Sequence, residues 1–503
     1  MLNMAIKRLA LISGLFFNID LNNENIMMKL KLITAVLLGT AVTLIAGCNS
    51  MEHKAQQAVV TKTNGGEVSE YQLANGMKII VKPDRRAPIA VSQVWYKVGS
   101  SYEHNGITGV SHVLEHMMFK GTKNLGPNEF SEIISANGGR ENAFTGRDYT
   151  AYFQTLSSDR LEVAFELEAD RMHNLTLDQK EFDKEVEVVK EERRLRTEDK
   201  PTSLTFERFK AAAFPSSPYR TPVIGWMSDL DNMKLADLDD WYRRWYAPGN
   251  ATLVVVGDVD PDAVYQLANK HFGKVPARDF QQPKPLSEPA TKNSMRLTVK
   301  LPAKQPYLIM GYKTPAIGSA QESWEPYALE VLAGVLDGGD SARLSRELIR
   351  GKELAVVADA GYGGYSRLPD MFLLDGTPTD SYTISDLEKA FKKQVERLKK
   401  EKVSADELER VINQVVAARV YELDSVFYQA MQIGMLETIG LDWRLLNKHV
   451  DNLRAVTPDM IQKVARKYLN DDNLYIAELD PLPLDNSSNK PQRRVSAGGR
   501  HGG

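Results

Sequence analysis

Ile89-Ala-Val-Ser-Gln-Val-Trp-Tyr-Lys-Val98 is rich in β-branched and aromatic residues and reads as a strand closing on Tyr96-Lys97. The same pair stands again at Tyr312-Lys313. Tyr246 with Asn250 precedes the nearly continuous apolar strand Ala251-Thr-Leu-Val-Val-Val-Gly-Asp258, and Tyr468 with Asn473 precedes Leu474 to Leu479. Landmarks repeated in one order at nearly equal spacing indicate a duplicated domain. Around the first copy, Val68 to Val81 also reads as strand. Helical patterns then cover roughly Gly109 to Met118, Pro127 to Asn137, Ser158 to Asn174 and Gln179 to Thr197. Strands, then helices, then a strand make an α+β layer. The expected fold is two homologous α+β domains, each a mostly antiparallel sheet with helices packed on it.

A chain of 503 residues is too long for one core. The expected divisions are an extension and signal segment through residue 48, a polar tether at 49–66, a metal-binding domain at 67–274 and a proline-rich linker at 275–293. A second domain without metal ligands follows at 294–485, then a polar, glycine-rich tail at 486–503. Hydrophobic content of 43% and charged content of 26% are those of a globular protein. A formal net charge of −3 leaves no footprint for nucleic acid and no broad basic face for a membrane surface.

Lys29 and Lys31 precede an apolar run from Leu32 to Ala46, the length of a signal-peptide core and short for a membrane span. The run ends in Leu44-Ile45-Ala46-Gly47-Cys48, which resembles a bacterial lipobox. Cys48, the only cysteine, is the expected lipidation site, so the membrane is reached through a lipid anchor only. Translation is expected to start at Met27 or Met28. Asn49 after the cysteine resembles Gram-negative lipoproteins held in the outer membrane and facing the periplasm.

The chemistry concentrates in His112-Val-Leu-Glu115-His116. On a helix, imidazoles at i and i+4 share a face and can reach one ion, and this is the inverted H-x-x-E-H order. A catalytic zinc needs a third protein ligand and one open position for water. Candidates lie in Glu181-Phe-Asp-Lys-Glu-Val-Glu-Val-Val-Lys-Glu-Glu-Arg-Arg-Leu195. Val188, Glu192 and Leu195 share one helical stripe, as do Glu185, Val189 and Glu192, whereas Glu191 falls with Glu187 and Arg194 on a solvated one. A carboxylate on a buried stripe is costly unless a cation compensates it. Glu192 is therefore the expected third ligand of one zinc ion per chain, with Glu185 behind it as a supporting member of the catalytic set. Glu115, beside a ligand but free of that duty, is placed to act as general base. In the second copy, Ala328 to Leu332 replaces the pentad with residues that cannot ligate.

His112-x-x-Glu115-His116 followed by Glu192 resembles the pitrilysin/insulinase family of zinc peptidases, which includes the mitochondrial processing peptidase. Gly106-Ile-Thr-Gly-Val-Ser-His112, Phe119-Lys-Gly-Thr122 and Asn142-Ala-Phe-Thr-Gly-Arg-Asp-Tyr-Thr-Ala-Tyr152 agree with it, and the likeness runs from about Val68 to Asp480. The resemblance implies a clam-shaped half of an enclosed chamber. It further assigns Asn142 and Ala143 to an edge strand that accepts an extended peptide. Single-chain members carry an arginine and, seven residues on, a tyrosine that hold the substrate carbonyl. Here Ile349 and Val356 stand at those positions, and neither can donate a hydrogen bond. Loss of an oxyanion donor costs roughly a hundredfold or more in rate. The expectation is a metal-bearing subunit completed by a homologous partner without zinc, with Arg350 and Tyr362, or a homodimer using other donors, as alternatives. The function expected is that of a zinc endopeptidase of the cell envelope acting on small or unfolded peptides. A binding or assembly protein that keeps the fold, as the respiratory bc1 core proteins resemble the family, is the competing class. His104 and His173 read as surface residues, and Trp241, Trp245 and Tyr246 as core.

Overall fold

The computed structural model describes residues 59–63, 66–278, 284, 288 and 294–484. Cys48, the signal segment, most of the tether and the tail lie outside them. The first sheet has seven strands: β1 (Val59–Thr63), β2 (Gly66–Gln72), β3 (Lys78–Pro83), β4 (Ile89–Tyr96), β5 (Arg140–Thr145), β6 (Thr150–Ser157) and β7 (Ala251–Gly257), in the order β1-β2-β3-β7-β4-β6-β5. The second has β8 (Met295–Pro302), β9 (Tyr307–Thr314), β10 (Ala355–Tyr362), β11 (Asp370–Pro378) and β12 (Leu474–Leu482), ordered β10-β11-β9-β12-β8. Read from the other end, the second order repeats β3-β7-β4-β6-β5 strand for strand. The one parallel pairing in each also matches, β3 with β7 and β8 with β12.

The repeat extends to single hydrogen bonds. Asn250 Nδ2 donates to the Trp245 carbonyl at 2.9 Å and the Lys97 carbonyl at 3.5 Å. Asn473 Nδ2 donates to those of Tyr468 and Lys313 at 3.0 and 2.8 Å. Each asparagine ties the end of a helix to the end of the central strand. The bonds also correct the sequence register by one residue: the counterpart of Tyr468 is Trp245, not Tyr246.

Two other local readings change. Val68 to Val81 is a hairpin, because Asn75-Gly76 turns the chain with Gly76 at φ 94°, a conformation glycine adopts without strain. Val59–Thr63, expected within the tether, pairs antiparallel with β2, Val59 opposite Glu70.

The two sheets are covered reciprocally. One face of the first sheet packs Ile79, Val94 and Leu253 against the helices Val110–Met117, Leu161–Asn174 and Leu235–Trp245. Its other face packs Val91, Trp95 and Val254 against Ala430 and Ile433 of the second-half helix Val426–Thr438. Gly434 allows this approach: a Cβ there would lie 2.1 Å from Trp95 Nε1. In return the first-half helix Pro201–Ala213 sends Phe209 and Ala213 onto Ile309 and Ala477 of the second sheet. Burial on both faces explains why β4 and β7 read as near-continuous apolar runs rather than alternating ones. Among the described residues, no helix is long and apolar enough to cross a membrane.

Candidate metal centre

The pentad lies on the helix Val110–Met117, whose Val110, Val113, Leu114 and Met117 are fully buried and lock its rotation against the sheet. Gly109 enters it at φ 88°, where a Cβ would meet the Ile224 carbonyl at 2.7 Å. Two acidic side chains hold the entry. Glu103 accepts from the Gly109 and Ser111 amides at 2.7 and 2.9 Å. Asp229 accepts from the Gly106 and Thr108 amides and, at 2.6 Å, from the Thr108 hydroxyl. Glu103 satisfies donors at the positive end of the helix dipole, and Asp229 ties down the loop that leads into it. Neither stands at a capping-box spacing, and Asp229 is over a hundred residues away in sequence, so no local signal announces them.

The third expected ligand comes from the helix Gln179–Arg193. Its buried stripe is Phe182, Glu185, Val186, Val189 and Arg193, while Val188 and Leu195 are 48% and 64% exposed. Val188 and Leu195, expected to face the core with Glu192, therefore point away from it. Glu192 stands at the margin of the buried stripe, reached through Glu185 and Val189. Immediately after it the helix widens into a π-type turn over Arg194–Glu198, in which the Asp199 amide bonds the Arg194 carbonyl at 2.8 Å. Glu191 is exposed and pairs with Arg194, as its stripe implies.

His112, His116 and Glu192 converge. One donor atom from each lies within 4.8 Å of the others. His112 Nε2 is 3.8 Å from Glu192 Oε1, and His116 Nε2 is 3.6 Å from Glu192 Oε2. Ligands about 2.0–2.2 Å from a tetrahedral zinc stand roughly 3.3–3.5 Å apart, so two imidazoles and one carboxylate fit that ion with little adjustment. Among the described residues this is the one such cluster.

The surroundings tune each group. Burial, helped by the nearby His116, pushes His112 down to about 4, leaving a neutral imidazole ready to ligate. Burial also works against the charge of His116, but Glu185 and Glu192 outweigh it and push the ring up to about 9. At neutral pH, a cation taking this place must displace a proton from His116. His116 Nδ1 meets Glu185 Oε2 at 3.1 Å, and Lys120 Nζ holds the other oxygen at 2.7 Å. Glu185 thus fixes which ring nitrogen faces Glu192. Against the opposing effect of burial, His116, His112 and Arg196 hold Glu192 below the usual carboxylate range. Burial raises the Glu115 carboxyl, and the Thr145 hydroxyl, donating to Oε2 at 2.5 Å, pulls it back. Thr145 is missing from the sequence reading. It sits in the quoted Asn142-Ala-Phe-Thr run, but only the sheet brings it to the pentad.

Replacing Glu185 with glutamine should weaken zinc affinity about 10- to 100-fold, the usual cost of losing the partner that orients a histidine ligand. Competition against a chromogenic chelator would measure it.

Asn142 and Ala143 lie on β5, the end strand of its sheet, so one side of its ladder is open. Asn142 Oδ1 accepts from the Ala143 amide at 2.9 Å. The cluster and β5 face a cavity of about 1350 Å³, which Tyr307, Gly361, Asp370 and Leu373 of the second half help to line. Ile349 instead packs on the second core, and Val356 lies half-exposed on β10. Tyr362 donates its hydroxyl to the Pro315 carbonyl at 2.6 Å. None of the three lines the cavity. His104 and His173 are exposed, and Trp241, Trp245 and Tyr246 are buried in the first core.

An α+β half with a cluster of candidate metal ligands is joined to a half that repeats five of its seven strands and, among the described residues, has no such cluster. The chain belongs to the insulinase family, peptidase family M16: residues 78–225 match the insulinase (peptidase family M16) model, and residues 232–415 match the peptidase M16 inactive domain. It is similar to the zinc protease PqqE of Helicobacter pylori, 34% identical over 390 residues that span 76% of this chain and 83% of that protein. The solved structure of a protease from Helicobacter pylori matches with a TM-score of 0.78 at 30% identity, over 82% of this chain and 99% of that one. A peptidase M16 inactive domain from Pseudomonas fluorescens shares the fold, with a TM-score of 0.74 at 18% identity over 83% and 100% of the two chains. The structural likenesses agree with the α+β reading, and the insulinase-family match and the zinc protease relative support a peptidase role.

Proposed function

We propose that this chain is a zinc-dependent endopeptidase that hydrolyses small or unfolded peptides. The carrying observation is the convergence of His112, His116 and Glu192 on one point of a cavity wall, with Glu115 beside them and outside the ligand set. Zinc held there would supply a Lewis acid and an activated water. Glu115 takes the proton of the attacking water and returns it to the leaving amine, a role suited to a carboxyl that burial has raised. An extended substrate adds to the open side of β5 at Asn142 and Ala143, taking the place of Asn142 Oδ1 on the Ala143 amide.

The cell-envelope location is supported by the apolar run before Cys48, and lipidation of that cysteine would hold the enzyme at the outer membrane, facing the periplasm. A homologous partner that carries the missing donors, or a second copy using other donors, fits a chain in which Ile349 and Val356 are apolar and lie away from the cavity. Hydrolysis of a fluorogenic peptide by the purified chain, alone and with a candidate partner, tests the reading. Activity should vanish on chelation and return with zinc. Hydrolysis indifferent to chelator would refute it.

A further inference from the structure

The turn joining β5 to β6 is gripped by both halves of the chain. It runs through Gly146-Arg147-Asp148-Tyr149, with the Gly146 amide bonding the Tyr149 carbonyl at 2.7 Å, and it follows directly on Thr145. From the first half, the Ser100 and Ser101 amides bond the carbonyls of Gly146 and Arg147 at 3.2 and 2.8 Å. From the second half comes Arg367. Its Nε donates to Asp148 Oδ1 at 3.0 Å, its Nη2 to Ser101 Oγ at 2.8 Å, and its guanidinium lies 4.3 Å over the Tyr102 ring. Asp148, only 4% exposed, also accepts from the hydroxyls of Ser101 and Tyr219. Beside it Arg147 Nη1 donates to Asp370 Oδ2 at 2.5 Å, and Lys210 bonds the other oxygen.

Adjacent residues of opposite sign on the turn therefore meet residues of opposite sign, three apart, on the second half. Only one register of the turn satisfies both pairs. Removing Arg367 leaves the buried Asp148 charge with the Ser101 and Tyr219 hydroxyls but no cation of its own, which favours a shift of the turn toward solvent. β5 has no strand on its outer side; β6 and packing on the helices Val110–Met117 and Glu129–Ala136 hold its length, and this turn fixes the end that carries Thr145.

We propose that Arg367, from the half without metal ligands, is a positioning residue: through Asp148 it holds the turn, and through the turn it holds the Thr145 hydroxyl and the open strand β5 against Glu115. The role in catalysis rests on the peptidase reading above. It gives the ligand-free half a direct task in the site beyond covering the sheet.

The test uses the full chain with Arg367→Met, which keeps most of the apolar stem, and Arg367→Lys, which keeps the charge. Misplacement on the ångström scale can cost about a hundredfold, so kcat of Arg367→Met should fall about 10- to 100-fold with KM changed far less. Zinc content should remain one per chain. In the metal-free protein, hydrogen–deuterium exchange should quicken in Arg140–Tyr149 and stay unchanged in the helix Leu161–Asn174 and in β9. Arg367→Lys should recover part of both effects. Ser101→Ala, removing one hydroxyl of the same network, gives a milder form of the measurement if Arg367→Met does not fold. Wild-type kcat with unaltered exchange in the turn would overturn the proposal, as would exchange that rises evenly through the chain. A wild-type chain without peptidase activity would instead remove the peptidase reading, and the exchange data would still decide whether Arg367 holds the turn.

Discussion

Glu115→Gln is expected to lower kcat for peptide hydrolysis about 10²- to 10⁴-fold, the range for loss of a positioned general acid–base, while zinc remains bound at one ion per chain. The substitution keeps the shape of the side chain and an oxygen that can still accept from Thr145. It removes only the capacity to take a proton. Burial already favours the uncharged form of Glu115, so a neutral amide should fold without a large penalty. His112, His116 and Glu192 are untouched, which separates chemistry from metal binding. Hydrolysis by the variant at the wild-type rate, assayed together with its metal content, would end the proposed mechanism.

Glu192→Ala and Glu191→Ala make the second comparison, because the residues are adjacent and only helical phase distinguishes them. Loss of Glu192 leaves two imidazoles and no carboxylate between them. Removing a partner behind a ligand already costs about 10- to 100-fold in affinity, so removing the ligand itself should cost more than 100-fold. The variant should purify with little zinc and show no turnover. Glu191 lies on the solvated face and pairs with Arg194. Its loss should change stability by less than about 0.5 kcal/mol and leave zinc intact. Metal analysis and chelator competition on the two variants decide the matter. Zinc loss from Glu191→Ala with Glu192→Ala unaffected would place the ligand on the wrong stripe.

How far the sequence reaches follows from the range of the interactions involved. The pentad is legible because both imidazoles lie within one helical turn, and the duplication is legible because its landmarks recur along the chain. Glu192 is legible only in part. The period of 3.6 residues separates it from Glu191, but Val188 and Leu195, apolar by type, are exposed. Their exposure reflects which face of the helix the sheet covers, and the covering elements are supplied from elsewhere in the chain. The hairpin within Val68 to Val81 was signalled by Asn75-Gly76 and obscured by the apolar residues on either side.

The sequence by itself determined the candidate ligand types, the separation of Glu192 from Glu191 by helical phase, the α+β layering and the presence of a second copy without the pentad. These depend on local periodicity and on residue chemistry. The tertiary structure alone decided that Thr145 reaches Glu115 and that Asp229 secures the entry to the pentad helix. It also decided that each half covers the back of the other's sheet and that Arg367 grips the turn beside the site. Each joins residues tens to hundreds of positions apart, and such pairings are selected by how the sheets stack, which no single stretch of the chain encodes.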